Sequence, residues 1–168
     1  MRFRALKLPR GSKLRTMDAM ASLRLDDQLC FGLYSASRAV TSLYRVVLDD
    51  LDLTYPQYLV MLALWEKDHR LVKELGAELN LDSGTLSPLL KRLQTAGLVV
   101  RNRQSDDERS VRVSLSEAGE ALREKARGIP DVIGAAMSLD DAGVARMRAE
   151  LDRLTASVNA YRDALASA

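Results

Sequence analysis

The chain of 168 residues contains one cysteine, Cys30, and one histidine, His69. A single cysteine excludes an intrachain disulfide, and the two counts together exclude zinc sites of the four-cysteine or two-cysteine, two-histidine kind. His69 lies in the polar run Glu66 to Arg70 and reads as a surface histidine. A Cys-His nucleophile pair needs a third orienting group and an oxyanion site, and no motif marks either. No catalytic residue, metal ligand or cofactor is therefore expected. The chemistry open to Cys30 is oxidation. Near a helix N-terminus, unpaired N–H groups favour the thiolate, the nucleophilic form. Asp26 and Asp27 lie within about one turn and oppose ionisation, and no Lys or Arg lies within four residues. The plain alternative is a buried small hydrophobe, the usual fate of a free cysteine.

A second group of residues suits contact with nucleic acid. In the segment 83–96, Leu86, Leu89, Leu90 and Leu93 make one helical stripe. The opposite face holds Gly84, Pro88, Lys91 and Thr95, flanked by Thr85, Ser87 and Arg92, with Ser83 at the start. That face carries no acid. Its hydroxyls, ammonium and guanidinium are the groups used on base edges and phosphates. Pro88 falls in the second turn and opposes the carbonyl of Gly84, so one backbone bond is lost. Further along, Arg101, Arg103, Arg109 and Arg112 flank the polar turn 104–108. An arginine at a hairpin tip can enter a narrow minor groove. Asp106, Asp107 and Glu108 would repel phosphate unless one of them, such as Asp107, positions Arg109. A solvated helix face and a plain surface hairpin are the alternatives.

These residues need elements to hold them. From about Asp26 to Asp50, Leu29, Leu33, Ala36, Val40, Leu43 and Val47 recur at three-four spacing, with Asp26 and Asp27 where caps belong. So wide an apolar face needs a large cover, such as a second copy of itself. Thr54 and Gln57 have capping-box spacing, Pro56 sits in the first turn, and residues 58–65 are apolar nearly all round, as in a buried central helix. The pattern predicts a short helix over 72–79, a tight turn at 80–82, a helix from Ser83 capped by Asp82, and a left-handed stop at Gly97. This is helix-turn-helix geometry. Period-two strands over 98–103 and 109–115 follow, a hairpin in the position of a wing. Ser116 caps a helix to about Arg127, Gly128-Ile129-Pro130 interrupts it, and Ser138 with Asp141 resembles another start. A last amphipathic helix carries Val144, Met147, Leu151, Leu154, Val158, Tyr161 and Leu165.

Composition agrees with a globular domain: 47% hydrophobic and 29% charged residues argue against disorder. No apolar run reaches the ~18 residues of a membrane span, so no membrane partner is expected. The net charge of +2 is unevenly placed, because residues 1–16 carry six cations and no acid and the remainder sums to −4. No apolar core follows that basic start, so it does not read as a secretory signal, and a cytoplasmic location is the default. Residues 1–24 read as a basic, disordered extension, with Met17 and Met20 as alternative starts, or else as an arm that touches phosphate. Residues 25–168 then form one domain: 25–51 and 117–168 as dimerisation helices, 52–116 as the winged helix-turn-helix. The fold class is mainly α with a small β-hairpin wing.

The winged helix-turn-helix between dimer helices, with Asp-Asp-Glu-Arg109 in the wing followed by Leu115-Ser-Glu-Ala-Gly119, resembles the MarR family of bacterial regulators. Three strings narrow the resemblance: Leu29-Cys-Phe-Gly-Leu-Tyr34, Leu53-Thr-Tyr-Pro-Gln-Tyr58 and Leu81-Asp-Ser-Gly-Thr-Leu-Ser-Pro-Leu-Leu-Lys-Arg92. They are similar to the organic-hydroperoxide-sensing, OhrR-like branch, in its one-cysteine form, from about Leu25 onward. The resemblance implies a homodimeric repressor on a pseudo-palindromic DNA operator. It makes Cys30 the reactive thiol, Tyr44 and Tyr55 its hydrogen-bond donors from the partner subunit, and Phe31 and Tyr34 neighbours of the sensing pocket. It makes Ser83, Thr85, Ser87, Pro88, Lys91, Arg92, Arg101, Asp107 and Arg109 the DNA-contacting set. Tyr44 follows Cys30 by fourteen residues, roughly 21 Å along one helix, so contact between them requires two copies. An organic hydroperoxide would oxidise Cys30 to a sulfenic acid. With no second cysteine, a low-molecular-weight thiol caps it, or it cyclises on a backbone nitrogen or overoxidises. The alternatives are a family member answering to a phenolic or other apolar ligand, with Cys30 structural, and a one-cysteine thiol peroxidase.

Overall fold

The computed structural model describes residues 22–103 and 111–167, with the side chain of Arg103 excepted. The basic extension expected over 1–24 lies outside the described residues up to position 21, and so do Asp107 and Arg109 of the wing. The chain divides into two compact units, 36–133 and the two terminal stretches around it.

The first long helix, α1 (Leu29–Val47), starts later than its acidic residues suggest. Asp26 and Asp27 do not cap it. They sit in a 3-10 turn over Leu25–Asp27, and the carbonyl of Gln28 accepts the first helical bonds, from Phe31 at 3.0 Å and Gly32 at 3.3 Å. A tight turn closed by Gln28 N on Leu25 O comes first, which moves the helix start three residues on. At the far end α1 passes into a second 3-10 turn, Asp49–Leu51, stopped by Asp52 in the left-handed region at φ 51°.

Thr54 initiates α2 (Tyr55–Glu66) as its sequence predicts. Its N–H and its hydroxyl both donate to Gln57 Oε1, at 2.8 and 2.7 Å. The helix is central: Tyr58, Val60, Met61, Ala63, Leu64 and Trp65 are all buried. A short strand β1 (Arg70–Leu71) leads into α3 (Val72–Leu79), and Asn80 turns the chain in the left-handed region at φ 53°. Next comes α4 (Ser83–Thr95), which runs through Pro88. Its N-cap Asp82 accepts from Thr85 N at 2.8 Å. Of the stripe the spacing predicts, Leu86, Leu90 and Leu93 of α4 are fully buried and Leu89 is half-buried. Gly97, at φ +72°, ends the helix and lets Leu98 N reach back to Leu93 O at 3.0 Å.

The hairpin is β2 (Val99–Arg103) against β3 (Val111–Leu115), antiparallel, with Val99 opposite Leu115 and Arg103 opposite Val111. The structure adds β1 on the other side of β3, pairing Arg70 with Val113, which gives the order β1-β3-β2. Two residues are too few to show a period, and Arg70 reads as part of a polar loop in the sequence. Ser116 caps α5 (Glu117–Ala126), accepting from Gly119 N at 3.0 Å. Gly119 is required there, since a Cβ would come within 2.0 Å of Leu98 O.

After the Gly128 break come α6 (Ile129–Met137) and α7 (Asp141–Ala166). Ser138 does not start α7. It takes φ 52°, and Asp140 is the cap, accepting from Gly143 N at 2.7 Å. On α7 only Gly143 is buried. Met147, Leu151, Val158 and Tyr161 are exposed, and α1 has no buried residue at all. Among the described residues no helix is long and apolar enough to cross a membrane.

Candidate nucleic-acid interface and thiol site

The polar side of α4 is built by its own apolar side. Because Leu86, Leu90 and Leu93 are locked into the core, Gly84, Thr85, Pro88, Lys91, Arg92 and Thr95 are held exposed on the other face, as is Ser83 in the first turn. Ser87 is half-buried. The acid that begins this helix is Asp82. Its carboxyl is held below its usual range, chiefly by the hydrogen bond from Thr85 N, so it stays an ionised cap. The face borders an open cleft of about 1160 Å³ within the 36–133 unit. Arg38 and Arg45 of α1, Lys91 and Arg92 of α4, the acids Asp49 and Asp52, and Tyr55 all line it.

At the base of the wing, Asp68 ties the end of α2 to β3: its Oδ1 accepts from Leu115 N at 2.9 Å and from His69 N at 2.7 Å. Arg112 donates to the carbonyl of His69, and His69 itself is exposed. Trp65 Nε1 donates to Gly119 O at 2.9 Å, a buried bond between α2 and α5. Arg101 is not at the hairpin tip. It lies in the middle of β2 opposite Val113, half-buried, beside the start of α4.

Cys30 is the second residue of α1 and exposed. Phe31 and Tyr34 follow it in the first turns, also exposed. In the other unit, Tyr44 of α1 and Tyr55 of α2 stack with ring centroids 4.1 Å apart and planes 22° apart. The structure thus unites the two tyrosines that the sequence singles out, eleven positions apart and on successive helices. It also adds a third. Tyr58 is 2% exposed, and its ring lies 5.9 Å from that of Tyr44 and 6.1 Å, edge-on, from that of Trp65. The i, i+3 spacing of Tyr55 and Tyr58 places both on one helix face, which is the signal that could have found it. Burial pushes the Tyr44 phenol up to about 12, with the neighbouring Tyr55 and Tyr58 adding to the effect. Burial raises Tyr55 and Tyr58 as well. All three phenols therefore keep their protons, and remain donors, at neutral pH.

Residues 42–126 match the family of the transcriptional regulator SarA/Rot. The organic hydroperoxide resistance transcriptional regulator of Bacillus subtilis is 52% identical over 111 residues, 66% of this chain and 76% of its own. This chain is a transcriptional regulator of the MarR/SarA type. A second relative, the HTH-type transcriptional regulator TtmR of Methylorubrum extorquens, is 44% identical over 152 residues, covering 89% of this chain and 75% of the relative. Among solved structures, reduced AbfR bound to DNA superposes with a TM-score of 0.69 at 34% identity, over 80% of this chain and 94% of that one. In this MarR-type regulator the helix-turn-helix is α3 and α4, and the wing is β2 and β3.

Proposed function

We propose that this regulator is a homodimeric repressor that binds a pseudo-palindromic DNA operator through α4 and the wing, and releases it when an organic hydroperoxide oxidises Cys30. The observation that carries the reading is the Tyr44–Tyr55 stack, protonated and half-buried, whose Tyr44 lies on the same helix as a thiol it cannot reach. Fourteen residues of α1 separate Tyr44 from Cys30, roughly 21 Å of rise. Two copies of the exposed apolar α1, related by a two-fold axis, bring the thiol of one protomer to the tyrosines of the other. The hydroperoxide resistance regulator at 52% identity and the DNA-bound AbfR support the DNA and peroxide parts of the reading.

The chemistry needs no cofactor. The Cys30 thiolate attacks one peroxide oxygen, the O–O bond breaks, and the departing alkoxide takes a proton to leave as the alcohol. Sulfur becomes a sulfenic acid. A low-molecular-weight thiol then condenses with it, giving a mixed disulfide and water. The enlarged side chain no longer fits beside Tyr44 and Tyr55, and the two reading helices lose the spacing of about one helical turn that the half-sites demand.

On this reading Ser83, Thr85, Ser87, Lys91 and Arg92 meet the major groove and its phosphates, and Arg109, positioned by Asp107, reaches the minor groove. Arg109→Ala then weakens binding by about 1–3 kcal/mol with the dimer intact. The deciding experiment is a gel shift of Cys30→Ser and parent on upstream DNA, with and without cumene hydroperoxide. Cys30→Ser keeps a hydrogen-bonding group of similar shape and lacks the thiolate. It binds like the parent and ignores the oxidant. A Cys30→Ser protein that still leaves DNA on treatment refutes the sensor.

A further inference from the structure

A smaller cavity, about 390 Å³, lies where α3, the start of α4 and β2 converge. Its floor includes Leu81 and Leu86, and its polar wall is Lys73, Ser83, Ser87 and Arg101. No carboxylate lines it among the described residues. Two acids adjacent in sequence to its lining residues serve as caps, Glu74 accepting from Leu71 N at 2.8 Å and Asp82 from Thr85 N at 2.8 Å. Two helices begin among its lining residues, α3 at Val72 and α4 at Ser83, and helix N-termini favour anions. Arg101 Nε is buried here and makes no hydrogen bond, the one buried side-chain nitrogen or oxygen in that condition among the described residues. Arg101 and Lys73 thus bring two cationic side chains to a cavity whose described lining holds no acid to pair them.

We infer that this cavity seats one backbone phosphate of the DNA, gripped by Arg101 and Lys73, with the Ser83 hydroxyl as a further donor. The inference rests on the DNA-binding reading above and refines it. Arg101 becomes a phosphate anchor that sets the register of α4 on the duplex, and sequence reading is left to the outer face of α4 and to the hairpin tip. An anchor of this kind contributes affinity without regard to sequence and adds to the salt dependence of binding.

The test is fluorescence anisotropy at stepped potassium chloride, from ~50 to ~200 mM, on two duplexes of equal length, one from upstream of the regulator's own gene and one scrambled. Arg101→Gln is expected to flatten the slope of log K against log salt by about 1.8, one phosphate per protomer of a dimer, with equal affinity loss on both duplexes. Lys73→Gln is expected to act in the same direction, and Arg101→Lys to keep the parental slope. An unchanged slope in both Gln variants overturns the seat, and so does a loss confined to the upstream duplex, the mark of a base contact. If Arg101→Gln loses helicity by circular dichroism, Lys73→Gln, altered at an exposed side chain, decides alone. A parent that binds neither duplex overturns the DNA-binding reading together with the seat. A parent that binds with salt dependence, beside variants that match it, overturns the seat only.

Discussion

The helix-turn-helix region and the last helix, α7, put their apolar side chains to opposite ends. In the first, Leu75, Leu86, Leu90, Leu93, Val99 and Val113 are all 2% exposed or less. In the second, Met147, Leu151, Val158 and Tyr161 remain 37–58% exposed in the single chain. The difference lies in the neighbours each region has within the chain. The helices and strands of the 36–133 unit come from short connections that fold onto one another. A long helix of 26 residues has a stripe longer than any one partner element in that unit. Burying such a stripe is worth roughly 25 cal/mol per Å², which only another large apolar surface can supply. The reading unit is complete within one chain, while α7 presents a surface suited to a second copy.

The strongest way to break this contrast is to charge the exposed stripe. Leu151→Asp with Val158→Asp should convert a dimer to a monomer by sedimentation velocity. Affinity for upstream DNA should drop by ~10³-fold or more, toward the non-specific level. A parent already monomeric at micromolar concentration defeats both the contrast and the intersubunit thiol site.

Within the reading unit, Leu90→Ala removes a fully buried side chain and should cost about 2–5 kcal/mol in urea unfolding. Val46→Ala, at a position 73% exposed, should stay within about 0.5 kcal/mol. Equal costs at the two positions would mean that Val46 is covered in solution.

A finer effect concerns the tyrosines. Tyr44→Phe and Tyr55→Phe should bind DNA like the parent and react more slowly with hydroperoxide, because each removes one donor to the thiolate. Stopped-flow oxidation rates equal to the parent's would detach these phenols from the thiol. The raised Tyr44 also links stability to pH. The neutral phenol is the form that folds, so its contribution is complete below the usual value of 10.0 and is lost as pH climbs toward about 12. Unfolding midpoints measured across that window should fall less in Tyr44→Phe than in the parent. The smallest effect belongs to the basic tail: removing residues 1–16 should change DNA affinity by no more than about twofold, and a larger loss would make it a phosphate-binding arm.

The amino-acid sequence by itself determined whatever depends on near neighbours. Helix α3 spans 72–79 as its spacing predicts. The caps at Thr54, Asp82 and Ser116 and the left-handed Gly97 follow from side chains that bond the backbone within three residues, or from the freedom of glycine. The family could be read from three strings in order. The tertiary structure decided what depends on distant partners. The strand β1 exists only because β3 offers it an edge. Tyr58 joined Tyr44 and Tyr55 because α1 and α2 meet there, and Arg101, a wing residue in the sequence reading, lines a cavity beside α3 and α4. Short-range hydrogen bonds are written in residue spacing, whereas the convergence of two elements is set by the packing of the core between them.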